Sequence, residues 1–156
     1  MSIFPKPPAE TKESSFIRGL RSTVLNPVKF TWTAIPWTSI TNPTNGILSG
    51  SAGSDTITVN QAGFIMLNVV LLWNQATAGY RSLRAWQVAP ASGVIQGIGK
   101  SAGAGAQYLD YTLNFTAPAG LQFRLECYQD SDAPGQILAT DVNYGQNRLG
   151  VFWVIS

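Results

Sequence analysis

Apolar residues crowd together from Gly63 to Trp73 (Gly-Phe-Ile-Met-Leu-Asn-Val-Val-Leu-Leu-Trp), where Asn68 is the one polar side chain. Successive side chains on a strand point to opposite faces, so this run, if extended, is apolar on both sides. It is too short to cross a bilayer, which takes about 20 residues. Val69-Val70 and the aromatic ends predict a strand rather than a buried helix, and Gln61-Ala62-Gly63 reads as the turn leading into it. One face can line the core of the domain. The other needs different cover, and a second subunit is the simplest candidate.

The rest of the chain carries shorter strand patterns. Phe30 to Ile35 alternates until Pro36 breaks it, Trp37 to Ile40 follows, and Asn42-Pro43-Thr44-Asn45-Gly46 is a turn. Ile47-Leu48 and Thr56 to Val59 flank a Gly/Ser loop. Tyr80 to Val88 reads as a strand with Arg81 and Arg84 reaching solvent or a partner, then Val94 to Gln96 as a short one, with a loop from Gly97 to Ala106. Tyr111, Leu113 and Phe115 alternate against Asp110, Thr112 and Asn114. Ala117-Pro118-Ala119-Gly120 turns the chain into Leu121 to Tyr128, which alternates throughout. Gln136 to Ala139 is a short strand between loops. In the closing segment Leu149, Val151, Trp153 and Ile155 oppose Gly150, Phe152 and Val154, so it too is apolar on both faces and belongs in the middle of a sheet. With no repeat and no long helix, eight to ten short strands between Gly/Pro/Asn turns predict an all-β fold, a β-sandwich or jelly roll.

The beginning of the chain differs. Residues 1–15 hold Pro5, Pro7 and Pro8 and little to bury, which predicts an extended or disordered segment. Phe16, Ile17 and Leu20 have the spacing of one face of a short helix, with Arg18 and Arg21 outside it and Gly19 weakening it. Residues 1–29 are therefore expected to be an N-terminal arm and residues 30–156 the head. Phe4, Phe16, Ile17 and Leu20 are the arm's candidate apolar anchors, with Lys6, Lys12, Arg18 and Arg21 facing an acidic partner.

Length, charge and cysteine usage sharpen this picture. A chain of 156 residues predicts one domain able to bury a core without disulfides. Only 12 % of residues are charged, about half the usual share, which suits a protein held in an assembly. The net charge of +2 is unevenly spread: five basic against two acidic groups in residues 1–30, and five against six in the remainder. The lone Cys127 lies on an alternating strand and reads as a small buried residue. No signal peptide or membrane span is expected, and the Asn114-Phe115-Thr116 sequon is read as chance.

Catalysis has little to work with. The chain has no histidine, which removes Ser-His-Asp and Cys-His relays and most zinc sites. Glu126 sits within a strand, and Asp130-Ser131-Asp132 is a solvated turn before it is a weak calcium site. Gly99-Lys100-Ser101 resembles the end of a phosphate-binding P-loop, but position 94 is Val94 where the pattern needs glycine, and a strand rather than a helix follows. No enzyme activity, cofactor, metal or nucleic-acid partner is expected. Two doubly apolar strands instead predict an oligomer whose interface is built from Phe64, Met66, Asn68, Val70, Leu72, Phe152 and Val154.

From about Phe30 onward the order of features resembles the C1q/TNF-like superfamily of trimeric jelly rolls. Ala62-Gly63-Phe64 opens the long apolar strand as a Gly-aromatic pair does in that family. Tyr80-Arg81-Ser82-Leu83 is similar to its following Arg-bearing strand. Ala119-Gly120-Leu121 resembles the family's Gly-Asp launch of an alternating strand, with Leu121 in place of the acid, and Leu149-Gly150-Val151-Phe152 resembles its closing strand. The resemblance implies a homotrimer. Its secreted members carry signals and collagen stalks; a basic, Pro-rich arm on a compact head implies instead a bacteriophage virion protein. The expected role is capsid decoration, or cement, with the arm docked on the major capsid or another virion protein. The alternative is the knob of a tail or fibre that binds a glycan or protein on the host surface.

Overall fold

Alternation of buried and exposed residues becomes strand after strand in the computed structural model, which describes residues 14–74, 78–102, 107–131, 137 and 147–155. The strands are β1 (Ser14–Arg21), β2 (Thr33–Ala34), β3 (Ser39–Thr41), β4 (Leu48–Gly50), β5 (Thr56–Val59) and β6 (Gly63–Trp73). They continue as β7 (Tyr80–Ala89), β8 (Gly93–Ser101), β9 (Gln107–Ala117), β10 (Gln122–Gln129) and β11 (Asn147–Val154). Among the described residues there is no helix.

Pairing is antiparallel throughout and makes two sheets. The first has the order β3-β1-β11-β6-β9; the second runs β4-β5-β10-β7-β8, with β2 added alongside β10. From β5 onward the chain crosses repeatedly from one sheet to the other, so strands that pair are mostly distant in sequence. This is the jelly-roll sandwich that the pattern predicted.

The core lies between the sheets. On β6 the odd-numbered side chains Ile65, Leu67, Val69, Leu71 and Trp73 point inward, joined by Tyr111 and Leu113 of β9 and Leu149, Val151 and Trp153 of β11. Leu83 and Ala85 of β7 and Phe123, Leu125 and Cys127 of β10 meet them from the other sheet. Phe115 and Phe123 make an edge-to-face contact with ring centres 5.4 Å apart, the geometry that the ring quadrupole favours.

Two glycines anticipated from sequence have definite causes. Gly120 adopts φ +83° in a turn closed by the Leu121 N–H donating to the Pro118 carbonyl at 3.2 Å, a conformation that side chains with a Cβ avoid. At Gly63 the indole of Trp153 lies where a Cβ would stand, and its N–H donates to the Gln61 carbonyl at 3.0 Å.

Several expectations are corrected. Ser14–Arg21 is a strand, not a helical part of an arm, and the head includes it, so a boundary after residue 29 does not hold. Phe16, Ile17 and Leu20 share one face at helical spacing, but as a strand they divide, Ile17 inward and Phe16 and Leu20 outward, and the slot between β3 and β11 decides in favour of β by hydrogen-bonding the segment on both edges. Gly19 suits that slot, because an added Cβ would stand 3.2–3.3 Å from Leu149 and Trp37. Phe30 to Ile35 yields only the two residues of β2. Conversely β8 is longer than expected: Gly99, Lys100 and Ser101 pair with Ser82, Arg81 and Tyr80 as strand, not as a flexible loop. Ile137 makes isolated bridges to Leu25 and Trp73; the rest of the Gln136 to Ala139 prediction lies outside the described residues.

Candidate subunit interface and surface sites

Strand register turns the outer face of the first sheet into a grid. One row runs Ser14, Val154, Phe64, Thr116; the next runs Phe16, Phe152, Met66, Asn114. A third runs Thr41, Arg18, Gly150, Asn68, Thr112, and a fourth Ser39, Leu20, Arg148, Val70, Asp110. The first two rows hold a continuous apolar patch. Phe16 is 42 % exposed, Phe152 44 %, Met66 45 % and Val154 40 %, with Phe64 half-buried among them. The Phe16 and Phe152 rings lie 4.5 Å apart, tilted by 30°. Gly150 leaves room for both rings, each of which would stand 3.3 Å from an added Cβ.

The interface residues expected from sequence are thus on one face, but not all are open. Val70 and Leu72 are each 8 % exposed within a single chain, which leaves them little surface to offer. Asn68 donates its side-chain N–H to Asp110 Oδ1 at 2.8 Å, so its polarity is satisfied within the protomer. Phe16, predicted as an arm anchor, joins this face instead. That was missed because its cross-strand partner Phe152, and Met66 beyond it on β6, lie far away in sequence.

The other arm candidates disperse. Ile17 is fully buried in the core. Arg21 is buried as well, donating from Nη1 to the Pro36 carbonyl at 2.6 Å and from Nη2 to the Val24 carbonyl at 2.9 Å; burial lowers its pKa from the usual arginine value. It therefore cannot face an acidic partner. Arg18 is exposed and Leu20 half-buried on the outer face. Phe4, Lys6 and Lys12 lie outside the described residues.

The outer face of the second sheet holds a cluster that sequence reasoning did not assemble. The Arg84 Cζ lies 4.3 Å from the ring centres of both Trp32 and Trp86, within cation–π range. Glu126, whose side chain is 4 % exposed, accepts from Arg84 Nε at 2.7 Å and Nη2 at 2.5 Å on Oε2, and from Arg124 Nε at 2.8 Å and Nη2 at 2.6 Å on Oε1. Asp55 lies 3.8 Å from Arg124, and Tyr128 stacks obliquely on Trp32 at 5.3 Å. Beside this cluster Trp32, Ser82, Arg84, Val94, Gly97, Ile98 and Gly99 line a shallow, open trough of about 270 Å³. The period-2 pattern Ser82, Arg84, Trp86 was the available signal; Trp32 and Glu126 arrive only through pairing of β2 and β7 with β10.

Arg81, expected to reach solvent or a partner, turns inward instead. It is fully buried, donating from Nη2 to the Asn74 carbonyl at 2.6 Å, with its guanidinium 5.2 Å from the Trp73 ring. Cys127 is buried as expected, and burial pushes its thiol up to about 12; the S–H points to the Thr33 carbonyl at 3.5 Å. Asp130 Oδ1 accepts from the Tyr80 N–H at 2.5 Å, while Asp132, its companion in the weak calcium reading, lies outside the described residues. Among the described residues no three acidic or sulfur side chains gather as a metal site would require.

No protein-family profile matches the chain, and no curated protein does. Solved structures do match. Two are crystal structures of murine APRIL, at pH 5.0 and pH 8.0: TM-score 0.63 for each, 11 % and 12 % identity, covering 90 % of this chain and 99 % of theirs. A third is Eiger TNF from S. frugiperda, with TM-score 0.56, 8 % identity and 92 % coverage of both chains. At such low identity the likeness speaks for architecture alone, and the architecture it shows, in agreement with the two sheets described above, is the TNF-like jelly roll.

Proposed function

We propose that the chain is the head of a homotrimeric virion protein of a bacteriophage, seated on the capsid as a decoration or cement protein. The observation that carries the oligomer is the apolar patch of Phe16, Phe64, Met66, Phe152 and Val154 on an otherwise regular sheet face. A patch of clustered large apolar side chains marks an interaction surface. The trimeric jelly rolls that the sequence resembles supply the symmetry. Because Ser14–Arg21 belongs to the sheet, the attachment segment contracts to residues 1–13, with Ile3, Phe4, Lys6 and Lys12 as its contact-making side chains. The role is structural, not catalytic.

The test is attachment to capsids stripped of the protein. Full-length chain should restore decoration, and a chain lacking residues 1–13 should remain a trimer with a similar melting temperature yet fail to bind. Full occupancy by the truncated chain would refute the attachment role of that segment. A second reading, the knob of a tail or fibre, is favoured by the Trp32, Arg84 and Trp86 cluster, which lies on the face away from the proposed trimer interface; binding to host cells in place of capsids would select it.

A further inference from the structure

We infer that the trough between Trp32 and strand β8 is a binding site for a neutral hexopyranose, such as the terminal sugar of a surface glycan. This deepens the host-binding reading and rests on it only for where the sugar is met; the site itself is complete within one protomer.

Two glycines lie at the floor of the trough. Strand interiors disfavour glycine, and where it occurs a ligand or another backbone often approaches closely. Gly97 and Gly99 stand opposite Arg84 and Ser82 on β7. A Cβ at Gly97 would meet nothing closer than 3.5 Å, so internal packing does not require glycine there, whereas at Gly99 it would stand 3.0 Å from the Ser82 hydroxyl, which by itself favours glycine. The missing side chains open the trough that Trp32 walls and Val94, 59 % exposed, borders. At about 270 Å³ the trough falls just below the ~300–1,000 Å³ of sites for drug-sized ligands, which suits one sugar ring.

Its chemistry is that of an amphipathic ligand. A pyranose presents C–H groups, for which Trp32 and Val94 offer apolar surface, and a rim of hydroxyls, which need donors and acceptors. The Trp32 ring already meets Arg84 at 4.3 Å and Tyr128 at 5.3 Å, so the contact is with the part of the half-buried indole that lines the trough. The Ser82 hydroxyl can donate and accept, and Arg84 offers Nη1 while Nε and Nη2 are committed to Glu126 Oε2. Contacts to Trp32, Trp86 and Glu126 hold the guanidinium still, so its remaining donor is preorganised. Charge then selects the class. Arg84 and Arg124 are balanced by Glu126 and Asp55, so no surplus positive charge is left for a sialic acid, a uronic acid or a phosphate.

Saturation-transfer NMR on the full-length protein tests this with methyl β-galactoside, methyl α-glucoside and methyl α-mannoside, and with N-acetylneuraminic acid as the charged competitor. At least one neutral glycoside should bind saturably with Kd on the order of 1 mM. Trp32→Ala and Gly97→Val should each weaken it by about tenfold or more. The Cβ of Gly97→Val would stand at ordinary contact distance, 3.5 Å, from Arg84 Cβ and the Leu83 carbonyl, so this variant serves as the second probe if Trp32→Ala melts early by circular dichroism. Absence of saturable binding to all three glycosides, binding indifferent to Gly97→Val, or preference for the acidic sugar would each overturn the site. Light scattering on the same samples separates the two readings: a monomer that binds sugar refutes only the trimer, and a trimer that binds none refutes only the site.

Discussion

Truncating Phe152 to alanine probes the oligomer most directly. The ring is 44 % exposed in one chain, and a phenylalanine has about 200 Å² to bury, so roughly 90 Å² remains for a neighbour. At ~25 cal/mol per Å² that is about 2 kcal/mol per protomer, or about 6 kcal/mol for three. Each 1.4 kcal/mol is tenfold, so the trimer dissociation constant should rise by about 10⁴ and the concentration of half-dissociation, which follows its square root, by about 10². The substitution also removes the 4.5 Å contact with Phe16, worth about 0.5–1.5 kcal/mol to the protomer itself. Melting the dissociated protein measures that part separately. Sedimentation equilibrium over a dilution series from tens of micromolar to tens of nanomolar reads the shift. Val94→Ala, exposed on the opposite sheet, is the control and should leave dissociation unchanged. Wild-type protein that is monomeric at tens of micromolar, or a Phe152→Ala variant that dissociates at the wild-type concentration, would refute the assignment of this face.

Other consequences follow from single residues. Gly63→Ala should cost at least about 1–3 kcal/mol in urea unfolding, because the new methyl would stand inside the Trp153 indole; a neutral result would mean that Trp153 moves freely, against its complete burial. Phe30 sits at φ +62° and is 66 % exposed, so Phe30→Gly should relieve strain and raise stability by up to about 1 kcal/mol, and a loss larger than that would contradict the backbone assignment. Burial raises the pKa of Cys127 to about 12, and burial likewise raises that of Tyr111 well above the usual phenol range, whereas the unfolded groups ionise near about 8.5 and 10. The unfolded chain therefore loses these protons first, and stability should be unaffected below about pH 8.5 and fall as pH rises toward 12, by at most about 1.4 kcal/mol per pH unit for each group. Urea midpoints at neutral and alkaline pH check this, and a midpoint that climbs with pH would reverse the sign. In the same vein Cys127 should resist a thiol-specific disulfide reagent at pH 8 until the protein is unfolded; rapid labelling of native protein would place the thiol at the surface.

Local pattern alone was enough for the strands β6, β9, β10 and β11, because period-2 alternation in β9 and β10, and a short run apolar on both faces in β6 and β11, are written into each segment and do not depend on its neighbours. The Ala117 to Gly120 turn was legible for the same reason: its left-handed glycine is a local requirement. What the pattern left open was decided by pairing across the sandwich. Phe16, Ile17 and Leu20 have the spacing of one helix face, and only the gap between β3 and β11, with its unmet backbone hydrogen bonds, makes them a strand that sends Ile17 to the core and the other two outward. Arg81 looked like a solvent residue because charge normally seeks water. Its burial becomes tolerable once Trp73 and the Asn74 carbonyl, from the end of another strand, receive its guanidinium. The apolar face was readable as a need for cover, yet which residues still offer surface depended on Val70 and Leu72 being covered already within one chain. Trp32, Arg84 and Glu126 are dozens of residues apart, and register alone brings them together. Alternation records which way a side chain faces relative to its own strand; which side chains become neighbours is set by antiparallel pairing between distant segments, and that information exists only once the sheets have formed.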